Sequence, residues 1–156
     1  MENEVLVSEK DTKQYIVVKI GSEQYGFDIN YIDNIVRMQR ITRVPKAQRY
    51  FKGIINLRGE IVAVMSIRLK MELEDDEFSD ASRIIILKIQ DLGTVGIIVD
   101  EVKEIVELGT DDIERQSKQD KNDKNTFISG IGKHGDELIS LFDIYAVVDE
   151  SENIWI

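Results

Sequence analysis

The chain has 156 residues, 42% of them hydrophobic and 32% charged, with a formal net charge of −10. That is the balance of one globular domain, or of two very small folds sharing a core, and it excludes wholesale disorder. The absence of cysteine excludes disulfides, thiolate metal sites and cysteine nucleophiles together, and the acidity argues against a partner held through its phosphates, because nucleic-acid affinity comes largely from Lys and Arg displacing condensed counterions.

The opening stretch "MENEVLVSEKDTKQ" lacks the basic start and apolar run of a signal peptide. No later stretch approaches the ~20 apolar residues of a membrane helix, which predicts a cytoplasmic protein without membrane insertion. Residues 1–12 read as a polar tail. "YIVVKI" (residues 15–20) reads as a strand, and "GSEQ" as the turn into a second one. Ile29, Ile32, Ile35 and Val36 then recur at spacings of three and four, which predicts a short helix with one apolar stripe and Asp28 as its N-cap. The connector "RITRVPKAQRY" holds the only proline, Pro45, which biases Val44 towards extended backbone. Residues 53–67, "GIINLRGEIVAVMSI", form a hairpin pattern around "LRGE", with Gly59 as the residue able to take positive φ without steric cost. A lone cation, Arg58, stands at its tip.

Past the acidic run "ELEDDEFSD" (residues 72–80) the same order returns. "IIILKI" (84–89) matches "YIVVKI", "VGIIVDEVKEIV" (95–106) matches "YGFDINYIDNIV" (25–36), and "GIGKHGDELISLFDI" (130–144) matches residues 53–67. Gly26 aligns with Gly96, Ile29 with Val99, Ile32 with Val102, Ile35 with Ile105 and Val36 with Val106. An internal repeat of this kind organises the whole chain. The half-repeats span about 14–72 and 82–149 within a single domain covering 1–156. The second connector, "GTDDIERQSKQDKNDKNT", is longer and polar, with 118–125 a mobile surface loop, and 151–156 form a polar tail. About five short strands per half predict two small β-barrels. A fold of ~60 residues buries only about 60% of its unfolded surface, so the halves should depend on each other, and strand exchange between them stays open.

The search for chemistry yields little. His134 is the single histidine and lies in the turn "GKHGDEL". One His and no Cys do not make a zinc site, and neither a phosphate loop nor a calcium-loop spacing is present. No cofactor, metal or catalytic residue is assigned. What remains is surface. The two apolar stripes pack as core at the junction of the halves, or line a groove for the apolar face of a partner helix. From Arg37 to Arg58 there are seven cations (Arg37, Arg40, Arg43, Lys46, Arg49, Lys52 and Arg58) and no acid. Such a run is a solvated face or a recognition surface for an acidic partner. The second-half turn holds Gly135 where the first has its arginine, so the hairpin itself does not require Arg58.

"ITRVPKAQRYFKGIINLRGEIVAV", preceded by "QYGFDINYIDNIVR" and followed by "VGIIVDEVKEIVEL" and "GIGKHGDELISLFDI", closely resembles the bacterial chemotaxis coupling protein family, CheW. The likeness spans roughly residues 14–148; the receiver domain of CheV proteins and the ATP-binding domain of the kinase CheA are missing. It implies a mainly β fold of two five-stranded SH3-like β-barrels packed together, with a short helix in each half and a short C-terminal helix. It also implies a non-enzymatic adaptor that bridges chemoreceptor cytoplasmic tips, which are helical hairpins, to the regulatory domain of CheA in membrane receptor arrays. By position, Ile16, Ile29, Ile32, Ile35 and Val102 fall on the family's receptor-binding groove, and Asn56, Arg58 and Gly59 on its coupling motif. Asn34 stands where some members carry an acid, Ala63 where a proline is common and Ser66 where an aspartate is common. The tail with Trp155 lies outside the resemblance. The alternative is a small β-barrel that binds single-stranded nucleic acid, with Tyr50 and Phe51 as stacking groups.

Overall fold

The computed structural model describes residues 11–115 and 127–148, most of them in strands. In the first half, β1 (Thr12–Ile20) and β2 (Glu23–Asp28) form a hairpin, and a 3₁₀ turn at Ile29–Tyr31 leads into β3 (Ile32–Arg37). A second hairpin, β4 (Phe51–Leu57) and β5 (Glu60–Ser66), ends in the four-residue helix α1 (Ile67–Lys70). The second half runs β6 (Arg83–Ile89), β7 (Gly93–Val99) and β8 (Glu101–Gly109). A 3₁₀ turn (Thr110–Asp112), β9 (Ile113–Arg115), β10 (Ile128–His134), β11 (Glu137–Phe142) and α2 (Ile144–Val147) complete it.

The strands form two sheets, ordered β8-β1-β2-β11-β10-β9 and β3-β6-β7-β5-β4. Each sheet draws on both halves of the sequence. The first-half hairpin β1-β2 lies between β8 and β11, and the second-half hairpin β6-β7 lies between β3 and β5. The exchange is reciprocal, with β2 parallel to β11 (Tyr25 opposite Ser140) and β7 parallel to β5 (Val95 opposite Ala63). Neither half has a complete sheet of its own, so the two halves are expected to unfold in one transition.

The exchanged hairpins must be apolar on both faces. On β1, Tyr15 and Val17 point into a cluster with Val106, Leu108, Ile139 and Leu141, while Ile16, Val18 and Ile20 point the other way. On β6, Ile84 and Ile86 join Ile55, Val62, Val64 and Ile98, while Ile85, Leu87 and Ile89 point the other way. The second set from each strand meets in one large central cluster. Side chains alternate along a strand, so a strand buried on two sides reads as a continuous apolar run, as "IIILKI" does. The result is an apolar interior within each curved sheet and a third core between the sheets.

One sheet has the expected five strands; β9 gives the other a sixth. In the five-stranded sheet the corresponding edge of β4 is held by a single bridge, Thr42 with Ile54, through two backbone hydrogen bonds of 2.8 Å. Among the described residues no ladder joins β8 to β9 or β3 to β4, so each barrel keeps an open seam.

The apolar stripe at residues 29–36 is not helical. Only Ile29–Tyr31 turn, with Asp28 accepting from the Asn30 N–H at 2.9 Å, and Ile32–Arg37 are extended. The second copy is strand from Glu101 to Gly109. The short helices α1 and α2 instead follow the two later hairpins, capped by the side chains of Ser66 and Asp143. Three β-branched residues among the six of β3, Ile32, Ile35 and Val36, favoured the strand over the helix once a neighbouring strand was available. The tails, the loop 118–125 and Trp155 lie outside the described residues.

The acidic run after α1 is tied down. Lys52 pairs with Asp75 at 2.9 Å, the Ser66 hydroxyl donates to Asp76 Oδ2 at 2.5 Å, and Arg68 Nη1 donates to the Glu74 carbonyl at 3.3 Å. Asp76 Oδ1 is buried without a hydrogen-bond partner. Burial pushes its carboxyl above the ordinary 3.8, with Asp75 adding repulsion, while Ser66, Lys52 and Arg68 pull it down. A carboxyl raised in the folded state contributes stability below its unfolded pKa and loses it as pH rises through the folded value. Asp76→Asn is therefore expected to raise the melting temperature at pH 7 and to lose that advantage as pH falls towards 4. Thermal melts across this range check it; a pH-independent difference would dissociate the effect from the Asp76 charge.

Candidate interaction site

The two stripes survive on strands because both strands are bulged. In the β3–β6 ladder Ile32 lies opposite Leu87 and Ile35 opposite Ile85, with a register shift that skips Asp33. In the β8–β1 ladder Val102 lies opposite Val18 and Ile105 opposite Ile16, with a shift that skips Lys103. Asp33 and Lys103 are matching positions of the repeat. One extra residue puts side chains three apart on the same face of a strand. Ile32, Ile35, Val102 and Ile105 therefore share faces with Ile85, Leu87, Ile16 and Val18, all of which belong to the central core.

Exposure then sorts the expected groove residues. Ile16 is 6% exposed and belongs to the core beneath the surface. Ile29, Ile32, Ile35 and Val102 are half-buried and pack on the central cluster from outside. Val99, the partner of Ile29 in the repeat, is fully buried, whereas Ile105 is 55% exposed. Ile105 is thus an exposed apolar residue on the same strand face as Val102 that the five positions taken from the family omit, although the repeat pairs it with Ile35. Tyr31 meets Tyr145 of α2 edge-to-face at 6.0 Å, a contact that sequence spacing does not reveal.

A charged clamp steadies the start of β8. Arg68 of α1 donates to Asp100 through Nη2 at 2.6 Å and Nε at 3.2 Å, and the Gly21 N–H donates to the same carboxylate at 2.7 Å. Burial opposes the Asp100 charge, but the Arg68 and Gly21 hydrogen bonds and the guanidinium charge outweigh it and hold the carboxyl below its ordinary value. The clamp joins a first-half helix to the second-half strand carrying Val102.

Asn56, Arg58 and Gly59 come together at the β4–β5 hairpin. Leu57 lies opposite Glu60, leaving a two-residue loop with Arg58 at φ 56° and Gly59 at φ 85°. Two consecutive positive φ angles make a type I′ turn, which favours Asn or Gly at the position Arg58 occupies. The Asn56 Oδ1 accepts from the Gly59 N–H at 2.9 Å and pins the loop. Arg58 is exposed and pairs with no acid among the described residues. In the matching β10–β11 loop only Gly135 has positive φ, at 63°, and His134 beside it is exposed. Among the described residues no three His, Cys, Asp or Glu side chains gather as metal ligands, and no helix is long and apolar enough to cross a membrane.

Two interlocked open β-barrels, a half-buried apolar surface over their shared core and a strained cationic turn define a double-barrel binding module. A family model described as the CheW-like domain matches residues 14–152. The chemotaxis protein CheW of Bacillus subtilis is 31% identical over 144 residues, covering 92% of each chain. That of Klebsiella aerogenes is 26% identical, covering 94% of this chain and 88% of the relative. The crystal structure of scaffolding protein TtCheW from Thermoanaerobacter tengcongensis superposes with a TM-score of 0.79 at 31% identity, over 88% of this chain and 92% of that one. The chain belongs to the CheW family of chemotaxis scaffold and adaptor proteins.

Proposed function

We propose that this protein couples the cytoplasmic tips of methyl-accepting chemoreceptors to the regulatory domain of the histidine kinase CheA, working in the cytoplasm and recruited to membrane receptor arrays. The single observation that carries the reading is the apolar surface of Ile32, Ile35, Val102 and Ile105 over the junction of the barrels. A receptor tip is a helical hairpin, and a helix binds such a surface by laying its apolar face into it. Ile29 extends the surface and Ile16 supports it from below. Asn56, Arg58 and Gly59 supply a second, polar contact for coupling.

The mechanism is one of linkage. An adaptor biases kinase activity only by binding one kinase state more tightly than another, with the receptor's state entering through the same coupling free energy. The bulged strands are well suited to this because they rest on the core shared by both barrels, so a contact at one wall is mechanically connected to the other. Against the nucleic-acid alternative, the Tyr50 ring is occupied by the Lys70 ammonium at 4.4 Å and is not a free stacking platform.

Titration of a receptor-tip helical hairpin tests the reading. Ile32→Asp and Ile105→Asp are each expected to weaken binding by tenfold or more, about 1.4 kcal/mol. Ile105 is exposed enough for its variant to fold, so unchanged affinity in that variant would remove the groove from the interaction even if Ile32→Asp unfolds.

A further inference from the structure

The apolar surface is two-fold in outline, because it is built from the same positions of the repeat. Ile32 matches Val102 and Ile35 matches Ile105, with the bulge at Asp33 in one strand and at Lys103 in the other. Apolar residues so arranged would accept a helix in either of two opposite directions. The charges do not share that symmetry. Two residues beyond Ile35, roughly 7 Å along β3, Arg37 lies on the same face of the strand and opposite Arg83 of β6. The matching positions of the other half are Glu107, beyond Ile105 on β8, and Gln14 opposite it on β1. The outer end of one strand therefore carries two cations, and the outer end of the other an acid.

The cationic pair does nothing for the fold, since like charges directly opposite on antiparallel strands destabilise the pairing. Arg83 is half-buried, and its Nη1 donates to the Asp80 and Ser82 carbonyls at 2.8 Å each, which holds the guanidinium in place without neutralising it. Arg37 is exposed and forms no ion pair among the described residues. Glu107 is exposed too; it accepts from the Thr12 hydroxyl at 2.9 Å and meets no cation among the described residues. We infer that Arg37 and Glu107 set the direction in which a partner helix lies on the apolar surface, an inference that rests on the coupling role proposed above. The accepted helix carries an acid where it passes Arg37 and a base where it passes Glu107, and the reversed helix meets like charge at both ends. Rim charges of this kind govern the choice of arrangement more than the affinity.

The chain has no cysteine, so Gln39→Cys, at an exposed position two residues past Arg37, gives one attachment point for a nitroxide. With an isotope-labelled receptor-tip helical hairpin bound, paramagnetic broadening is expected at one end of the hairpin only. Combining Arg37→Glu with Glu107→Arg in the labelled protein should move the broadening to the opposite end. Arg37→Glu alone should weaken binding about tenfold at low salt and less at high salt, through screening. Its melting temperature should hold or rise, because the repulsion from Arg83 is gone. Broadening that stays at the same end in the double variant overturns the inference, as does undiminished binding by both Arg37→Glu and Glu107→Arg. Ile105→Asp, titrated alongside, separates the two readings. If it weakens binding while the charge variants do not, the groove stands and the direction-setting role falls; if it is silent as well, both fall.

Discussion

Gly53→Ala is expected to lower the melting temperature by roughly 10 °C, a loss of more than about 3 kcal/mol, combining backbone strain with overpacking. Gly53 holds φ 142°, a region L side chains rarely enter, and a Cβ there would lie 2.1 Å from the Thr42 carbonyl oxygen and 2.8 Å from Ile41 Cγ2. Thr42 cannot retreat without breaking its two hydrogen bonds to Ile54, the one bridge that covers this edge of the five-stranded sheet. The matching glycine of the second half, Gly130, has no positive φ, and a Cβ there would meet Glu114 O and Ile113 Cγ2 at 3.0 Å. Gly130→Ala should therefore be markedly milder. Thermal melts of the two variants side by side check the argument, and equal losses would refute it.

Arg58→Asn is expected to separate stability from assembly. The left-handed conformation of Arg58 is disfavoured for a side chain with a Cβ by roughly 1–2 kcal/mol, and asparagine adopts it routinely. The variant should be more stable by about 1 kcal/mol, because the type I′ turn then has a residue suited to it. The same change should weaken co-sedimentation with receptor and kinase by roughly thirtyfold, about 2 kcal/mol, the scale of an interface arginine hot spot. Because Arg58 strains its own turn and makes no hydrogen bond or ion pair among the described residues, the expected reason for keeping it is a contact outside the fold. Wild-type assembly by the stabilised variant would dismiss Arg58 from the site and leave its strain unexplained.

Much of the architecture was legible because it is repeated. The match of residues 25–36 to 95–106 and of 53–67 to 130–144 predicted the paired units, and the Ile and Val content identified strands. The misread element was the stripe at Ile29, Ile32, Ile35 and Val36. A spacing of three and four is the signature of a helix face, and a bulge in a strand yields the same spacing for a different reason. Nothing local separates the two, since the bulge exists only in the pairing of β3 with β6 and of β8 with β1. The candidate site shows the same division. Gly59 was readable as a turn residue, but the positive φ of Arg58 was not, because its own side chain argues against it. Ile105 was visible in the repeat, yet its exposure depends on what covers it.

By itself the sequence determined the mainly β class, the two related halves, the two later hairpins with Arg58 at the tip of only one, and the lack of cysteine chemistry. These are properties of composition and short-range pattern, which chain neighbours alone decide. Only the tertiary structure decided that β1-β2 and β6-β7 trade places, that Arg68 and Asp100 clamp one half to the other, and that Ile16 is core while Ile105 is surface. Each of these depends on contacts between residues far apart in the chain, where the free energy of burying a shared apolar layer selects one pairing among several that the local pattern allows equally.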